Sequence, residues 1–105
     1  GGATTEDMFV TELRTRALEN CVWVCAANQG GVEQVQDKKH TFYGNSCIIH
    51  PTGKVVAQAP SSEPAVISAT IDLEDVNRAR RFMYTFKRRR PEIYRLVNQI
   101  MDKCL

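Results

Sequence analysis

The chain has 105 residues, of which 43% are hydrophobic and 25% charged, and its formal net charge is +2. This length favours a single domain, because so short a chain buries only about two-thirds of its unfolded surface and cannot divide into two cores. The composition excludes a disordered chain. The longest uncharged apolar run, residues 21–27, is far shorter than the roughly 20 residues of a membrane span. With no basic-then-apolar leader in view, we expect neither a signal peptide nor a membrane anchor.

Charge is unevenly distributed along the chain. Residues 1–77 carry 5 Lys and Arg against 10 Asp and Glu, whereas residues 78–105 carry 9 against 2. A basic end is typical of proteins that bind nucleic acid or an acidic partner. This run lacks the interleaved glycines and aromatics of an RNA-reading sheet, so a solvated or subunit-facing helical arm is the favoured interpretation.

The first predicted elements are a helix and a buried strand. Thr4 or Thr5 can cap a helix that ends at Asn20, and apolar residues recur along it at helical spacing. The next run, residues 21–27, has no polar alternation. It therefore predicts a strand that is covered on both faces, as in the middle of a layered α/β protein.

A loop and a hairpin follow. The polar residues 32–40 indicate an exposed loop. Residues 46–49 and 54–57 predict a β-hairpin, because Pro51 and Gly53 occupy the second and fourth positions of a type I turn. Residues 65–71 then alternate apolar and polar side chains, as in a half-buried strand.

Two helices are predicted near the C-terminus. Asp72 caps a helix whose first turn is acidic and whose later turns are basic, the order that the helix dipole favours. Pro91 fits the first position of a terminal helix. The apolar stripe of that helix is wide, so we expect it to pack on another subunit or on a further part of the protein. The stripe consists of Ile93, Leu96, Val97, Ile100, Met101 and Cys104.

The residues alone show no self-contained catalytic site. The four cysteines, at positions 21, 25, 47 and 104, lie in or beside apolar segments, which favours four buried core thiols. None forms a C-x-x-C pair, so we expect reduced thiols and a cytoplasmic location. His40 and His50 do not complete a zinc site of known spacing, and we expect no metal and no cofactor. A ligand would fit best at the loop of residues 28–31, which leaves the buried strand.

Four segments together resemble the nitrilase, or carbon–nitrogen hydrolase, superfamily. They are residues 16–28 (RALENCVWVCAAN), 42–53 (FYGNSCIIHPTG), 71–80 (IDLEDVNRAR) and 90–94 (RPEIY). The resemblance implies an α/β fold, an α-β-β-α sandwich with a mixed sheet and flanking helices. Residues 1–105 would then be a single partial domain, the C-terminal third, with a basic arm and terminal helix at residues 88–105.

The family resemblance also implies a reaction. Members use a Glu–Lys–Cys triad in which the cysteine attacks an amide-like or nitrile carbon. The family's setting for that cysteine matches none of the four cysteines here, so we expect the triad to lie upstream of Gly1 and residues 1–105 to be inactive alone. Phe86, Lys87 and Tyr94 resemble the tails of N-carbamoyl amidohydrolases. We therefore expect a linear N-carbamoyl substrate, with an ω-amide or a nitrile as alternatives.

The resemblance assigns roles to particular residues. Asn28 and Gln29 match substrate-binding positions at the mouth of the pocket, and Gly44 and Ser46 match positions that support it. The structural alternative for Asn28 and Gln29 is a turn that ends the strand. For Gly44 and Ser46 it is a role in packing alone. We expect a homodimer or larger homo-oligomer whose subunit contacts are Glu12, Arg16, Glu19, Arg88, Arg89 and Arg90.

A second class of function stays open from the sequence. The chain could be a non-catalytic interaction or oligomerisation module whose basic tail binds nucleic acid or an acidic protein. Nucleic acid is the less favoured partner, because the enzyme interpretation places the basic tail at a subunit contact. Phosphate binding would weaken steeply with salt, which separates the two interpretations.

Overall fold

The residues that the structure describes, 5–60, 63–84 and 86–104 of a computed structural model, form three helices and five strands. The helices are α1 (Thr5–Asn20), α2 (Glu74–Phe82) and α3 (Pro91–Cys104). The strands are β1 (Val24–Ala26), β2 (Gly30–Val35), β3 (Lys38–Tyr43), β4 (Cys47–Ile49) and β5 (Val55–Gln58). They form two antiparallel sheets, one in the order β1-β4-β5 and the other made of β2 and β3. The α/β fold class is confirmed.

The buried core lies between α1 and the three-stranded sheet. Ala17 on the helix and Cys47 and Ile49 on β4 are fully buried. Cys47 and Ile49 share one face of the strand because side chains alternate between the two faces. The small side chain of Ala17 lets the helix approach this face closely, and Leu13 and Val24 complete the contact. α1 ends at Asn20 as predicted, whereas Thr4 lies outside the described residues.

The predicted hairpin between β4 and β5 is confirmed. Gly53 N–H donates to the His50 carbonyl at 2.8 Å, which closes the turn, and His50 N–H donates to the Lys54 carbonyl at 2.8 Å. Gly53 has a φ of +82°, and a Cβ there would lie 3.3 Å from the Arg14 carbonyl. The turn therefore needs glycine. Arg14 Nε also donates to the Gly53 carbonyl at 2.7 Å, which fastens α1 to the turn.

The prediction of a loop at residues 32–40 was wrong. These residues belong to the β2–β3 hairpin, in which Val35 pairs with Lys38 around a two-residue turn. Gln36 in that turn has a φ of 55°, as the tight turns between antiparallel strands require. Almost every side chain of the hairpin is exposed, so the strands lack the apolar alternation by which a half-buried strand is recognised.

Three further predictions about burial need correction. Only Val24–Ala26 of the 21–27 run is a strand, and Cys25 on it is exposed because α1 covers one face only. Cys104 is exposed as well, so the prediction of four core thiols holds for Cys21 and Cys47 but not for these two. The prediction of two alternating faces at residues 65–71 was wrong: these residues form no strand, and all of them except Ile67 are exposed.

The two C-terminal helices begin as predicted. Asp72 Oδ1 accepts a hydrogen bond from Glu74 N–H at 2.9 Å, and Leu73 already has helical dihedral angles, so Asp72 caps α2. Pro91 is the first residue of α3. Every residue of α3 from Pro91 to Cys104 is exposed, including its apolar stripe. We call residues 88–104 the C-terminal arm.

The described chain is more extended than a self-contained domain. Its radius of gyration is 18.4 Å, whereas a compact domain of this length has about 13 Å. The extension comes with exposed apolar side chains such as Leu96 and Ile100, which are 58% and 55% exposed. A surface of this kind favours contact with another protein segment. None of the helices among the described residues has the length and apolar character needed to cross a membrane.

Candidate functional site

Polar residues collect at one edge of the three-stranded sheet. β1 and β4 are antiparallel, and so are β4 and β5. The end of β1, the start of β4 and the end of β5 therefore meet at the same edge. Asn28 follows β1, Ser46 precedes β4, and Ala59 follows β5. The structure thus places residues from three separate segments next to one another.

These residues are joined by hydrogen bonds. Asn28 N–H donates to Ser46 Oγ at 2.9 Å, and the Ser46 hydroxyl lies 3.3 Å from the Asn28 carbonyl, to which it donates. Asn28 Nδ2 donates to the Gly44 carbonyl at 2.9 Å. Ala59 N–H donates to the Ser46 carbonyl at 2.8 Å. We call Asn28, Gly44, Asn45, Ser46 and Ala59 the strand-edge cluster.

The loop before β4 has an unusual backbone. Gly44 and Asn45 are both in the left-handed region, with φ values of 61° and 58°. Asparagine tolerates this region better than other residues that carry a side chain. The two residues turn the chain so that Gly44 N–H donates to the Gln29 carbonyl at 3.0 Å. Gln29 thus contributes its main chain to the site, whereas its side chain is exposed.

A pocket of about 180 Å³ opens beside the cluster. Asn28, Gly44 and Ser46, three of the four residues predicted for the site, line it; Gln29 does not. Among the lining residues that the sequence analysis did not single out, Asn45 and Glu63 are the two with polar side chains. Asn45 follows a glycine just before a strand, a pattern that could have indicated a left-handed turn. Nothing in the sequence distinguishes Glu63 from other loop carboxylates.

Asn45 is a buried polar residue with an incomplete set of hydrogen bonds. Its side chain is 3% exposed, and its Oδ1 accepts from Gln58 Nε2 at 3.2 Å. Its Nδ2 has no hydrogen-bond partner among the described residues. A buried N–H without an acceptor costs about 1–3 kcal/mol, so Asn45 carries an unsatisfied donor in the loop before β4.

The Cys47 thiol does not have the character of a nucleophile. Burial, with a smaller effect of Cys25, raises the pKa of the Cys47 thiol above its usual value. Catalytic cysteines need the opposite shift, because the thiolate is the reactive form. In the part of the chain that the structure describes, no group of three or more His, Cys, Asp or Glu side chains could hold a metal ion.

The residues predicted for a subunit contact lie on exposed surfaces of α1 and the C-terminal arm. Glu12, Arg16 and Glu19 are exposed on α1, and Arg16 Nη1 is 3.1 Å from Glu19 Oε2. Arg90 Nε is 2.9 Å from Glu92 Oε1, which is also a local pair.

Aromatic rings accompany the other arginines of the arm. The guanidinium carbon of Arg88 lies 5.4 Å from the centre of the Tyr84 ring, and that of Arg89 lies 5.4 Å from the centre of the Tyr94 ring. Contacts of this kind hold the arginine stems without removing their charge. Each of the three arginines at the start of the arm therefore has a local partner, an aromatic ring or a carboxylate.

A second polar network fastens α2 to the sheet. Trp23 Nε1 donates to the Asp72 carbonyl at 3.2 Å, and His50 Nε2 is 3.2 Å from Asp75 Oδ2. Arg78 Nη1 bridges Asp72 Oδ2 at 2.9 Å and Asp75 Oδ1 at 2.8 Å. The hydrogen bond from Arg78 holds the pKa of the Asp72 carboxyl below its usual value. The network stabilises the start of α2.

Comparison with known proteins identifies the family. The carbon-nitrogen hydrolase family profile matches residues 1–81. A probable nitrilase of Schizosaccharomyces pombe is 42% identical over 83 residues, which are 78% of this chain and 29% of that protein. The N-carbamoylputrescine amidase of Arabidopsis thaliana is 32% identical over 100 residues, which are 91% of this chain and 33% of that protein. The chain belongs to the carbon-nitrogen hydrolase family.

A solved structure gives the same result for the fold. The carbon-nitrogen hydrolase from Helicobacter pylori G27 superposes with a TM-score of 0.73 at 27% identity, over 89% of this chain and 35% of that one. The resemblance found in the sequence is thereby confirmed, including the N-carbamoyl amidase branch. The chain spans about a third of the length of these relatives.

Proposed function

We propose that residues 1–105 form the C-terminal part of a thiol amidohydrolase that cleaves non-peptide C–N bonds. The observation that carries this proposal is the strand-edge cluster, which builds one wall of a pocket in a chain of the carbon-nitrogen hydrolase family. The proposed triad of Glu, Lys and Cys belongs to a preceding part of a longer protein. The raised pKa of Cys47 and the match to about a third of each relative support this view.

The proposed substrates are N-carbamoyl compounds, with other linear amides as the second choice. Similarity to an N-carbamoylputrescine amidase over 91% of this chain supports the first choice. A carbamoyl carbon is a weak electrophile, so its cleavage needs an activated thiol, a proton carrier and a group that stabilises the oxyanion. The residues of this chain would shape one wall of the pocket and orient the substrate. Asn28 and Ser46 hold the loops at the pocket wall through bonds of 2.9 Å and 3.3 Å.

The proposal includes an assembly. α1 and the C-terminal arm would form the contacts of a homodimer or larger homo-oligomer, with Arg88, Arg89 and Arg90 facing carboxylates of a second copy. The exposed apolar stripe of α3 supports this assignment. The four cysteines are free thiols, which agrees with a cytoplasmic location.

The test is an assay of ammonia release with two preparations. The longer protein that contains this chain should hydrolyse N-carbamoyl compounds, whereas residues 1–105 alone should not. Changing Cys21, Cys25, Cys47 or Cys104 to Ala in the longer protein should leave its activity measurable. Turnover by residues 1–105 that one of these changes abolishes would show that the nucleophile lies within the chain. Nucleic-acid binding with a steep salt dependence and no hydrolysis would favour the interaction module instead.

A further inference from the structure

The β2–β3 hairpin begins and ends at the rim of the pocket beside the strand-edge cluster. Gly30, the first residue of β2, lines that pocket, and so does Gly44, which follows the last residue of β3. Gly44 N–H donates to the Gln29 carbonyl at 3.0 Å, and Asn28 Nδ2 donates to the Gly44 carbonyl at 2.9 Å. These bonds join the two ends of the hairpin, so both ends stay at the pocket wherever the tip lies.

Beyond its two ends, the hairpin has little support from the described part of the chain. It is a sheet of its own, and it makes no extensive contact with any other described helix or strand. Gly31 and Phe42 are its only partly buried strand residues, and the others are exposed. A two-stranded hairpin without further packing is marginally stable in water. The hairpin therefore needs a contact that the described residues do not supply.

Glycines lie where each strand leaves the pocket. Gly30 and Gly31 are consecutive on β2, and Gly31 has a φ of 97°. At the end of β3, Gly44 has a φ of 61°. Both angles lie in the left-handed region, which glycine adopts without a steric penalty. Hinges consist of a few residues at the ends of elements that absorb changes of φ and ψ, and each strand of this hairpin has such a residue at the pocket.

The hairpin is long enough to cover the pocket. Each strand has six residues, which at about 3.3 Å per residue give a length of about 20 Å. The pocket beside it has a volume of about 180 Å³. A segment that folds over a site of this size excludes bulk water and strengthens the electrostatic interactions inside it.

We propose that the β2–β3 hairpin is a lid that closes over the bound substrate. The inference rests on the proposed function, since the pocket that it covers belongs to the substrate site of the longer protein. The substrate and the opposite pocket wall supply the contact that the hairpin lacks, so binding and closure stabilise each other. Closure also limits the access of solvent to the reacting group.

The first experiment follows the hairpin in the longer protein that contains this chain. Hydrogen exchange of the amides at residues 32–42 is measured with and without a saturating excess of butylurea, an N-carbamoyl alkylamine. Exchange in the hairpin should slow by about fivefold or more on addition of butylurea, because closure protects its exposed amides. The amides of α2, which lie outside the pocket lining, should exchange at an unchanged rate.

The second experiment shortens the lid in the same protein. Replacing residues 33–40 by Asn-Gly joins Val32 to Thr41, which already pair across the hairpin, through a two-residue turn. Ammonia release from butylurea should then show a kcat/KM lower by about tenfold or more. Replacing Gln36 and Asp37 by the same Asn-Gly turn keeps the full length, and should retain most of the wild-type kcat/KM. Neither change touches the hydrogen bonds at the pocket rim.

The outcomes separate the lid from the proposed function. Exchange in the hairpin that is the same with and without butylurea, or a shortened hairpin that keeps the wild-type kcat/KM, overturns the lid and leaves the hydrolase proposal standing. Protection of the hairpin without butylurea, together with a smaller oligomer in the shortened variant, assigns the hairpin to a subunit contact and overturns the lid as well. Absence of hydrolysis of any N-carbamoyl compound by the wild-type protein overturns the proposed function, and the inference with it.

Discussion

The strand-edge cluster and the C-terminal arm are organised in opposite ways. In the cluster, the hydrogen bonds between Asn28 and both Gly44 and Ser46 join residues 16 and 18 positions apart. In the arm, Arg90 pairs with a residue two positions away, and α3 buries none of its residues from Pro91 to Cys104. The cluster therefore has a geometry that this chain fixes by itself. The arm has only its helical shape and must obtain any further order from a partner.

The largest difference between the two regions should appear on removing a buried side chain. Ile49→Ala deletes a fully buried side chain at the core behind the cluster and should lower the free energy of unfolding by about 3 kcal/mol. Ile100→Ala makes the same change on α3, where the side chain is 55% exposed, and should cost less than about 0.5 kcal/mol. Urea unfolding of both variants measures this, and equal losses would contradict the comparison.

A smaller loss should follow from breaking one hydrogen bond of the cluster. Ser46→Ala removes the acceptor for Asn28 N–H and the donor to the Asn28 carbonyl, and should cost about 1 kcal/mol. The Asn28 amide should then exchange its hydrogen faster with solvent. Ser68→Ala, on the exposed segment before α2, is the control and should have no effect. Unchanged exchange at Asn28 in Ser46→Ala would show that the loop is held by other contacts.

Acid should lower the stability of the start of α2, which lies between the strand-edge cluster and the C-terminal arm in the chain. Because the pKa of Asp72 is lowered in the folded state, the stability that its charge contributes is present above the unfolded value near 3.8 and is lost as the pH falls through the folded value. Asp72→Asn should remove this part of the acid dependence below about pH 4. Asp102→Asn on α3 is the matched control. Identical acid profiles for the wild-type and Asp72→Asn proteins would rule out the role of Asp72.

The smallest effect on unfolding is expected in the arm itself. Replacing Arg88, Arg89 and Arg90 by Ser should change the free energy of unfolding by less than about 0.5 kcal/mol, because exposed ion pairs contribute little. In the longer protein, the same change should weaken the proposed assembly. Sedimentation at micromolar concentration reports this, and an unchanged oligomer would remove the arginines from the interface.

The sequence predicted those elements whose signals are local. Asp72 at the cap of α2, Pro91 at the start of α3 and the Pro51–Gly53 turn all depend on a few neighbouring residues, and all are confirmed. The β2–β3 hairpin was missed because its exposure on both faces leaves no alternation to read. The exposure of Cys25 depends on which face of β1 the first helix covers, a property of the tertiary structure.

The residues of the candidate site also fall into two groups, those predicted from the sequence and those found only in the structure. Asn28, Gly44 and Ser46 were found through motifs that the family shares, and the structure brings them together around one pocket. Asn45 and Glu63 reach that pocket only because the chain turns at two separate loops. No spacing rule connects these loops in the sequence, so their meeting could not be predicted without the fold.

The position of Trp23 gives the protein a built-in optical reporter. It is the single tryptophan of the chain; its indole N–H donates to the Asp72 carbonyl at 3.2 Å, and its ring meets that of His50 edge-on, with the two centres 4.8 Å apart. Its fluorescence therefore reports whether α2 is packed on the sheet and does not report on α3. Far-ultraviolet circular dichroism, by contrast, is dominated by all three helices together. Melting curves recorded by the two methods should separate whenever the terminal helix loses its structure before the sheet does.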